Sequence, residues 1–251
     1  MKDLSFNPFS LKGKTILVTG ASSGIGKGIS IVCSKMGASV ILTGRNEERL
    51  RNVCNVLLES EFQMFVADLM SEDAIRNLVK QLPLLDGVVY CAGVGQRLPC
   101  KMITAHDIDN VMDINFKSTV LLQTALLKAK KIKKESSLVF IASRAAVSPS
   151  IGNAVYSASK GAMISYAKCL ALELAQRQIR VNCICPAMIW TDLILQGGLA
   201  KEDLEVAQLR YPLKRYGTPE DVANLAVYLL SDASKWMTGS CVDLTGGSSD
   251  L

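Results

Sequence analysis

Apolar positions along the chain switch between two periods. Short runs in which nearly every residue is apolar or β-branched alternate with longer stretches whose apolar residues recur every three or four positions. Lys14–Thr19 is the first short run, and it leads into a glycine. Gly24–Met36 follows with Ile25, Ile29, Val32 and Met36 at helical intervals. The other strand-like runs are Ser39–Thr43, Phe62–Ala67, Asp86–Tyr90, Ser137–Ala142, Ile179–Ile184 and the short Cys241–Leu244. Between them, Asn46–Leu58, Ser71–Gln81, Ala105–Asp113, Phe116–Lys131, Val155–Gln176, Glu202–Arg210 and Pro219–Leu230 carry helical spacing. Such alternation predicts right-handed βαβ units. The expected fold class is α/β: a single doubly wound domain over residues 1–251, with a mainly parallel seven-stranded sheet and helices on both faces. Continuous apolar runs such as Ile16-Leu17-Val18 and Leu138-Val139-Phe140-Ile141 fit strands buried on both sides. No internal repeat, low-complexity tract or linker divides the chain.

Composition narrows the class without choosing a chemistry. An apolar fraction of 49% and a charged fraction of 20% suit a sizeable core and argue against disorder. The formal net charge of +5 is mild. Basic residues are scattered except for Lys128, Lys130, Lys131, Lys133 and Lys134. That run reads as a solvated helix end, with a docking patch for an acidic partner as the sharper alternative. No basic stripe interleaves with aromatics, so no nucleic-acid role is expected. Met1 to Gly13 lacks the apolar core of a signal peptide, and no apolar run is long enough to span a bilayer. The expectation is a soluble, cytoplasmic protein, with no membrane partner, whose eight cysteines are reduced thiols. Cys33, Cys54, Cys169 and Cys241 read as small core residues. Cys183 and Cys185 point to one face of a strand, and packing is the simpler reading because no second Cys or His pair follows at zinc spacing. No metal site is expected. His106, the only histidine, reads as the start of a surface helix.

The segment Thr19-Gly20-Ala21-Ser22-Ser23-Gly24-Ile25-Gly26 lies between the first strand and the first helix. Glycines there permit a tight turn and close backbone approach to a ligand. The free N–H groups of the helix beginning near Gly24 suit a pyrophosphate, and Ser22 and Ser23 add hydroxyl donors. A glycine triplet alone is weak, but its position between strand and helix points to a dinucleotide. Its spacing is G-x-x-x-G-x-G rather than G-x-G-x-x-G. The second strand ends in Thr43-Gly44-Arg45-Asn46, without the acid that would hold adenosine ribose hydroxyls. Arg45 can meet a 2′-phosphate, the plain alternative being a solvated arginine before a helix, so NADP(H) is favoured over NAD(H). Asp68-Leu69 after the third strand is placed to border an adenine. Cys91-Ala92-Gly93 after the fourth lies at the edge where open α/β sheets bind ligands.

Val155-Tyr156-Ser157-Ala158-Ser159-Lys160 opens the long helix, and residues four apart share a helical face. A lysine ammonium beside a phenol favours the phenolate. Such a phenol can give a proton to a carbonyl oxygen or take one from an alcohol. Ser143 ends the preceding strand at the same sheet edge, where its hydroxyl can hydrogen-bond the reacting oxygen. A Tyr and a Lys four apart are usually an ordinary helix surface; with Ser143 and the glycine turn they read as a site.

In these motifs the chain resembles the short-chain dehydrogenase/reductase family over nearly its whole length. The glycine turn, Asp68, Cys91-Ala92-Gly93, Asn115, Ser143, Tyr156 and Lys160 match the family's positions in order. The resemblance implies a Rossmann-type fold, with Tyr156 as general acid/base and Lys160 binding the nicotinamide ribose. It implies that Ser143 orients the substrate carbonyl and that Asn115 holds a water in the proton relay. Pro186 through Thr191 resembles the segment that closes over the nicotinamide, with Ile189 and Thr191 as contacts. Three departures stand out. Tyr90-Cys91 replaces a usual pair of asparagines, Ala187 replaces a usual glycine after Pro186, and Ser23 stands where NADP-using members often carry a basic residue.

The C-terminal third resembles members acting on 3-oxoacyl thioesters and on varied ketones or alcohols, through the stretches Tyr211–Val222 and Asp243–Gly247. The expected substrate is a small-molecule carbonyl or alcohol, including an acyl-carrier-protein thioester. A sugar, polyol or steroid dehydrogenase using NAD(H), or a dinucleotide-binding regulator without turnover, is the alternative. A lid over residues 190–210 carries Leu193, Ile194, Leu195, Leu199 and Leu204, which read as an apolar wall over the substrate or as lid packing. The helix from Val155 is apolar nearly all round, so it must be buried on more than one side. Gly161, Ala162 and Ser165 allow close approach of a second subunit, and the family resemblance implies a homotetramer built partly on that helix.

Overall fold

A computed structural model describes residues 7–57, 62–195 and 200–248. Among the described residues seven strands form one sheet: β1 (Thr15–Thr19), β2 (Ser39–Gly44), β3 (Phe62–Val66), β4 (Leu85–Tyr90), β5 (Ile132–Ile141), β6 (Arg180–Pro186) and β7 (Cys241–Leu244). Their order is β3-β2-β1-β4-β5-β6-β7, and every neighbouring pair is parallel. The chain winds outward from β1 to β3, crosses back, and winds outward again from β4 to β7. Right-handed crossovers then place the two sets of helices on opposite faces.

The helices are α1 (Gly24–Lys35), α2 (Glu47–Cys54), α3 (Glu72–Gln81), α4 (Ala105–Met112), α5 (Ser118–Lys128), α6 (Ala154–Leu174), the short α7 (Asp192–Leu195), α8 (Lys201–Gln208) and α9 (Pro219–Leu230). One core layer joins the sheet to α3, α5 and α6 through Leu78, Leu126, Phe140, Met163 and Leu170. The other joins it to α1, α2 and α9 through Ile29, Leu50, Val89, Ile184 and Val222. Alternate strand residues feed the two layers, which is why the central strands are apolar at nearly every position. Among the described residues no helix is long and apolar enough to cross a membrane. Leu58 and Leu199, expected in a helix and in the lid, lie outside the described residues, as do the first six residues of the chain.

Three expectations are corrected. First, the stretches Ala105–Asp113 and Phe116–Lys131 are one continuous helical run: α4 passes into α5 through a π-helical turn, Asp113–Lys117. Second, the lysine run is not a solvated helix end. Helix α5 stops at Lys128, Lys130 takes a left-handed φ of 54°, and β5 already begins at Ile132, which is buried and paired with Leu85. Lys131 donates to the Leu82 carbonyl, and Lys133 pairs with Asp86 at 2.8 Å. The register shift between Leu85 and Gly87 and the positive φ of Glu135 break the strand's alternation, which hid it in the sequence. Third, Cys33 and Cys54 are buried, but Cys169 and Cys241 are exposed. Cys169 lies on the outer side of α6 and Cys241 on the edge strand.

Candidate active site

The strand order reverses between β1 and β4, so the loops leaving their C-terminal ends open a crevice. Gly20 and Gly24 in the first loop take φ values of +64° and +51°, which L residues avoid. A Cβ on Gly20 would lie 2.9 Å from the Ala92 backbone, and one on Gly26 would lie 2.3 Å from the Gly20 carbonyl oxygen. The turn, the loop after β4 and the start of α1 therefore pack backbone on backbone. Thr19 reinforces this joint: its Oγ1 accepts from the N–H groups of Cys91 (3.0 Å) and Ala92 (3.1 Å). Sequence reasoning passed over Thr19, although it is the last residue before the turn.

Ser23 is the N-cap of α1, yet its side chain makes no capping hydrogen bond. In α2, α3, α4 and α9 the cap side chains Asn46, Ser71, Thr104 and Thr218 all do. The start of α1 thus borders the crevice without a capping side chain, an arrangement that fits the pyrophosphate of a dinucleotide.

The crevice has a volume of about 1210 Å³. That exceeds the roughly 300–1,000 Å³ of an ordinary ligand pocket, so a dinucleotide and a small substrate fit together. Gly20, Ser22, Ser23, Gly24, Ile25, Gly26, Arg45, Asp68 and Leu69 line it at one end. Cys91, Ala92, Gly93, Ser143, Tyr156, Lys160, Pro186, Ile189 and Thr191 line the rest. Arg49, not foreseen, lines it beside Arg45. Arg45 precedes the N-cap Asn46 and Arg49 lies in the first turn of α2, so no simple helical spacing announces the pair. Both are exposed, and neither forms an ion pair among the described residues.

Asn115 is the one nominated residue that does not line the crevice. It is fully buried in the π-helical turn. Its Oδ1 accepts from the Val94 N–H (2.7 Å), and its Nδ2 donates to the Val94 carbonyl and to Ser159 Oγ, both at 3.0 Å. Both amide hydrogens are therefore engaged, and what Asn115 can still offer a water is acceptor capacity. Gly93 leaves space beside it: a Cβ there would lie 3.1 Å from Asn115 Oδ1.

Lys160 is buried, and its Nζ donates to the Ile141 carbonyl at 2.8 Å. The same ammonium stands 5.9 Å from the centroid of the Tyr156 ring, as the four-residue spacing requires. Tyr156 is half-buried, and its hydroxyl makes no hydrogen bond to a described residue. Ser143 Oγ accepts from the Ala145 N–H at 3.1 Å, which fixes the side chain while its own proton stays available to donate. The crevice thus collects a phenol, an ammonium and a hydroxyl donor, the parts needed to hold and protonate a carbonyl oxygen.

The departures from the family pattern are accommodated locally. Tyr90 is buried, stacks on Phe140 at 4.5 Å and hydrogen-bonds Gln123 through its hydroxyl. An aromatic pair with its own polar partner thus occupies that strand end. Burial pushes the Cys91 thiol up to about 12, so it is an inert wall of the crevice. Ala187 needs no left-handed backbone; its N–H donates to the Leu244 carbonyl at 3.0 Å. Of the lid leucines, Leu204 is buried with Tyr211 and Tyr216, whereas Leu193 and Leu195 are exposed. The lid is pinned by Trp190, whose Nε1 donates to Gln208 at 3.0 Å.

Sheet order, glycine turn and proton-handling group together define a dinucleotide-dependent oxidoreductase. The comparisons refine that class. A family model described as enoyl-(acyl carrier protein) reductase matches residues 20–249. The chain is 35% identical over 237 residues to the 3-oxoacyl-[acyl-carrier-protein] reductase FabG of Rickettsia felis, covering 94% of this chain and 97% of that one. It is 32% identical to the L-xylulose reductase of Caenorhabditis elegans, covering 96% and 98%. Among solved structures it superposes with a TM-score of 0.89 and 29% identity on a 7α-hydroxysteroid dehydrogenase complexed with NADH and 7-oxo glycochenodeoxycholic acid, covering 98% and 99%. A structure from Beutenbergia cavernae with NADP bound at low occupancy gives 0.86 and 30%, covering 96% and 98%. The chain belongs to the short-chain dehydrogenase/reductase family. It is an NAD(P)-dependent enzyme acting on CH–OH and C=O groups.

Proposed function

We propose that this chain, acting as one domain, interconverts a ketone and a secondary alcohol with NADP(H), and that its preferred substrates are 3-oxoacyl thioesters. The observation that carries the reading is the meeting of Tyr156, Lys160 and Ser143 in the crevice that the glycine turn opens. A bound nicotinamide supplies or takes the hydride. Ser143 donates to the carbonyl oxygen and holds it against the Tyr156 hydroxyl, which gives its proton in reduction and takes it back in oxidation. Lys160, fixed by the Ile141 carbonyl beside the Tyr156 ring, reaches the ribose. Asn115 is a positioning residue: it locks the loop after β4 to α6, and its remaining acceptor capacity holds the relay water.

Arg45 and Arg49, free of ion pairs among the described residues, favour NADP(H) by meeting the 2′-phosphate. The thioester reading rests on the likeness to the Rickettsia felis reductase. It does not rest on the lysine run, because Ile132 starts β5 and the crevice lies beyond Ile141, about 30 Å along the strand. A carrier docked there would hold its thioester at the wrong edge of the sheet. The proposed assembly is a cytoplasmic homotetramer. Leu172 of α6 is 80% exposed, and a Cβ on Gly161 would meet nothing within 4 Å, which suits the approach of a second helix.

The test is a substrate panel with NADPH and NADH: 3-oxoacyl thioesters, ketoses and oxosteroids, followed by nicotinamide absorbance. Wild type should favour a thioester with NADPH. Tyr156→Phe should lower kcat by about 10²–10⁴. A Tyr156→Phe variant at the wild-type rate would overturn the mechanism, and a preference for NADH that Arg45→Ala leaves unchanged would overturn the cofactor assignment.

A further inference from the structure

Three thiols stand together at the outer edge of the sheet, in residues the reaction above does not use. Cys183 of β6 and Cys241 of β7 are direct partners in the parallel register, and Cys185 partners Asp243 two residues on. All four side chains face the same side of the sheet, as the strand period of two demands. Cys183 and Cys185 are buried in the core layer beneath α6, while Cys241 is exposed at its rim. The Cys241 thiol therefore stands directly beside Cys183, with Cys185 two residues along on the same face. The exposed Lys168 of α6 acts on Cys241 from above, and Asp243 opposes it from the same strand while pairing with Arg144 at 2.7 Å. The neighbouring Cys183 thiol, followed by Lys168, draws the Cys241 thiol below the ordinary thiol value. The adjacent Cys241 thiol and burial push Cys183 up. The exposed sulfur is the one that an oxidant in solution reaches first, and the buried one stands behind it.

We infer that Cys241 and Cys183 form a dithiol that a hydroperoxide oxidises, reversibly stapling the edge strand β7 to β6. The Cys241 thiolate attacks the terminal peroxide oxygen. An S–O bond forms as the O–O bond breaks, and the hydroperoxide leaves as an alcohol, or as water from hydrogen peroxide. The sulfenate takes a solvent proton. Cys183 sulfur then attacks Cys241 sulfur, and its proton joins the departing hydroxyl, which leaves as water. Two electrons have passed from the thiol pair to the peroxide. Neighbouring strands lie about 4.8 Å apart, inside the roughly 4.4–6.8 Å that a disulfide needs between Cα atoms. Side by side in a parallel pair, the two Cβ atoms sit wide of the relaxed separation, which puts this bond in the strained and easily reduced class. Strand β7 has four residues and, among the described residues, pairs on one side only, so it can yield.

The test uses the full chain, reduced, desalted and treated with hydrogen peroxide in slight molar excess, then thiol-blocked, digested without reductant and weighed. A linked Cys183–Cys241 peptide, lighter than its parts by two hydrogens and restored by dithiothreitol, is expected. Cys183→Ser, with Cys183→Ala as a second variant should the first misfold, should leave Cys241 as a sulfenic acid that dimedone captures. Cys241→Ser should abolish the linked peptide and slow peroxide consumption at least tenfold. Oxidation of Cys100 or Cys169 ahead of Cys241 would overturn the proposal. So would a Cys241–Cys241 bond between two copies, or an unreactive Cys241 in the native assembly.

Discussion

Helices α1 and α9 lie side by side, with Gly28 of one against Pro219 of the other, yet they begin in opposite ways. At α9 a capping box, a first-turn proline and an ion pair close the helix start. Thr218 Oγ1 accepts from the Asp221 N–H, Asp221 accepts from the Thr218 N–H at 2.7 Å, proline fills the first turn, and Arg215 grips Asp221 with two nitrogens. At α1 the cap residue Ser23 has the right backbone but an idle side chain, and glycines replace the acids of a well-capped first turn. One start is built to hold the fold; the other leaves its N–H groups for something that arrives from outside. Two neighbours in one core layer thus divide stability and binding between them.

That contrast can be broken by substitution. The largest effect is expected at Gly26, where a Cβ must lie 2.3 Å from a backbone oxygen that cannot swing aside. Gly26→Ala should cost about 1–3 kcal/mol of stability, as overpacking does. It should also weaken dinucleotide binding more than tenfold by titration calorimetry; wild-type affinity would contradict the backbone-on-backbone account of the turn. Next come the two caps. Thr218→Ala should cost about 1 kcal/mol in denaturant unfolding. Ser23→Ala should stay within about 0.5 kcal/mol and show its effect in NADPH affinity instead. Equal stability losses would mean that α1 is capped after all.

The smallest effect concerns acid. Arg215 beside Asp221 holds that carboxyl down at about 2, below its ordinary value of about 4. The pair therefore contributes its stability above pH 4 and loses it as pH falls toward 2. Because Arg215 is half-exposed, the contribution is modest. Asp221→Asn should flatten the Tm between pH 4 and pH 2, and an unchanged slope would remove this pair from the account.

Much of this was legible because it is local. Helix α9 and strand β7 fall on the very residues their sequence pattern marks, since Thr218-Pro219 and the run from Cys241 carry strong signals within a few positions. The glycine turn, Ser143, Tyr156 and Lys160 also declared themselves through short spacings. What stayed hidden depends on distant partners. Thr19 matters through the loop after β4, and Lys133 belongs to a strand because Asp86 neutralises it. Cys241 looks like a core residue until its strand proves to be the sheet's edge. Asn115 was visible as a motif, but its full engagement with Val94 and Ser159 appears only once three elements meet.

The π-helical turn at Asp113–Lys117 can also be seen as a phase corrector. Residues of an α-helix advance by about 100° each, so a stripe must recur at about 3.6 residues to keep facing one way. One stripe of the buried positions, Val111, Asn115, Thr119, Leu122 and Leu126, with Ser118 and Gln123 buried beside it, steps by four, four, three and four, slightly too slow for a regular helix. The wider turn takes up the surplus, so Val111 before it and Leu122 after it are both buried. Removing one residue there would tighten the turn to an ordinary helix, and the two halves would fall out of step. The segment that holds Asn115 in place is thus also what lets one long helix serve as a single continuous wall.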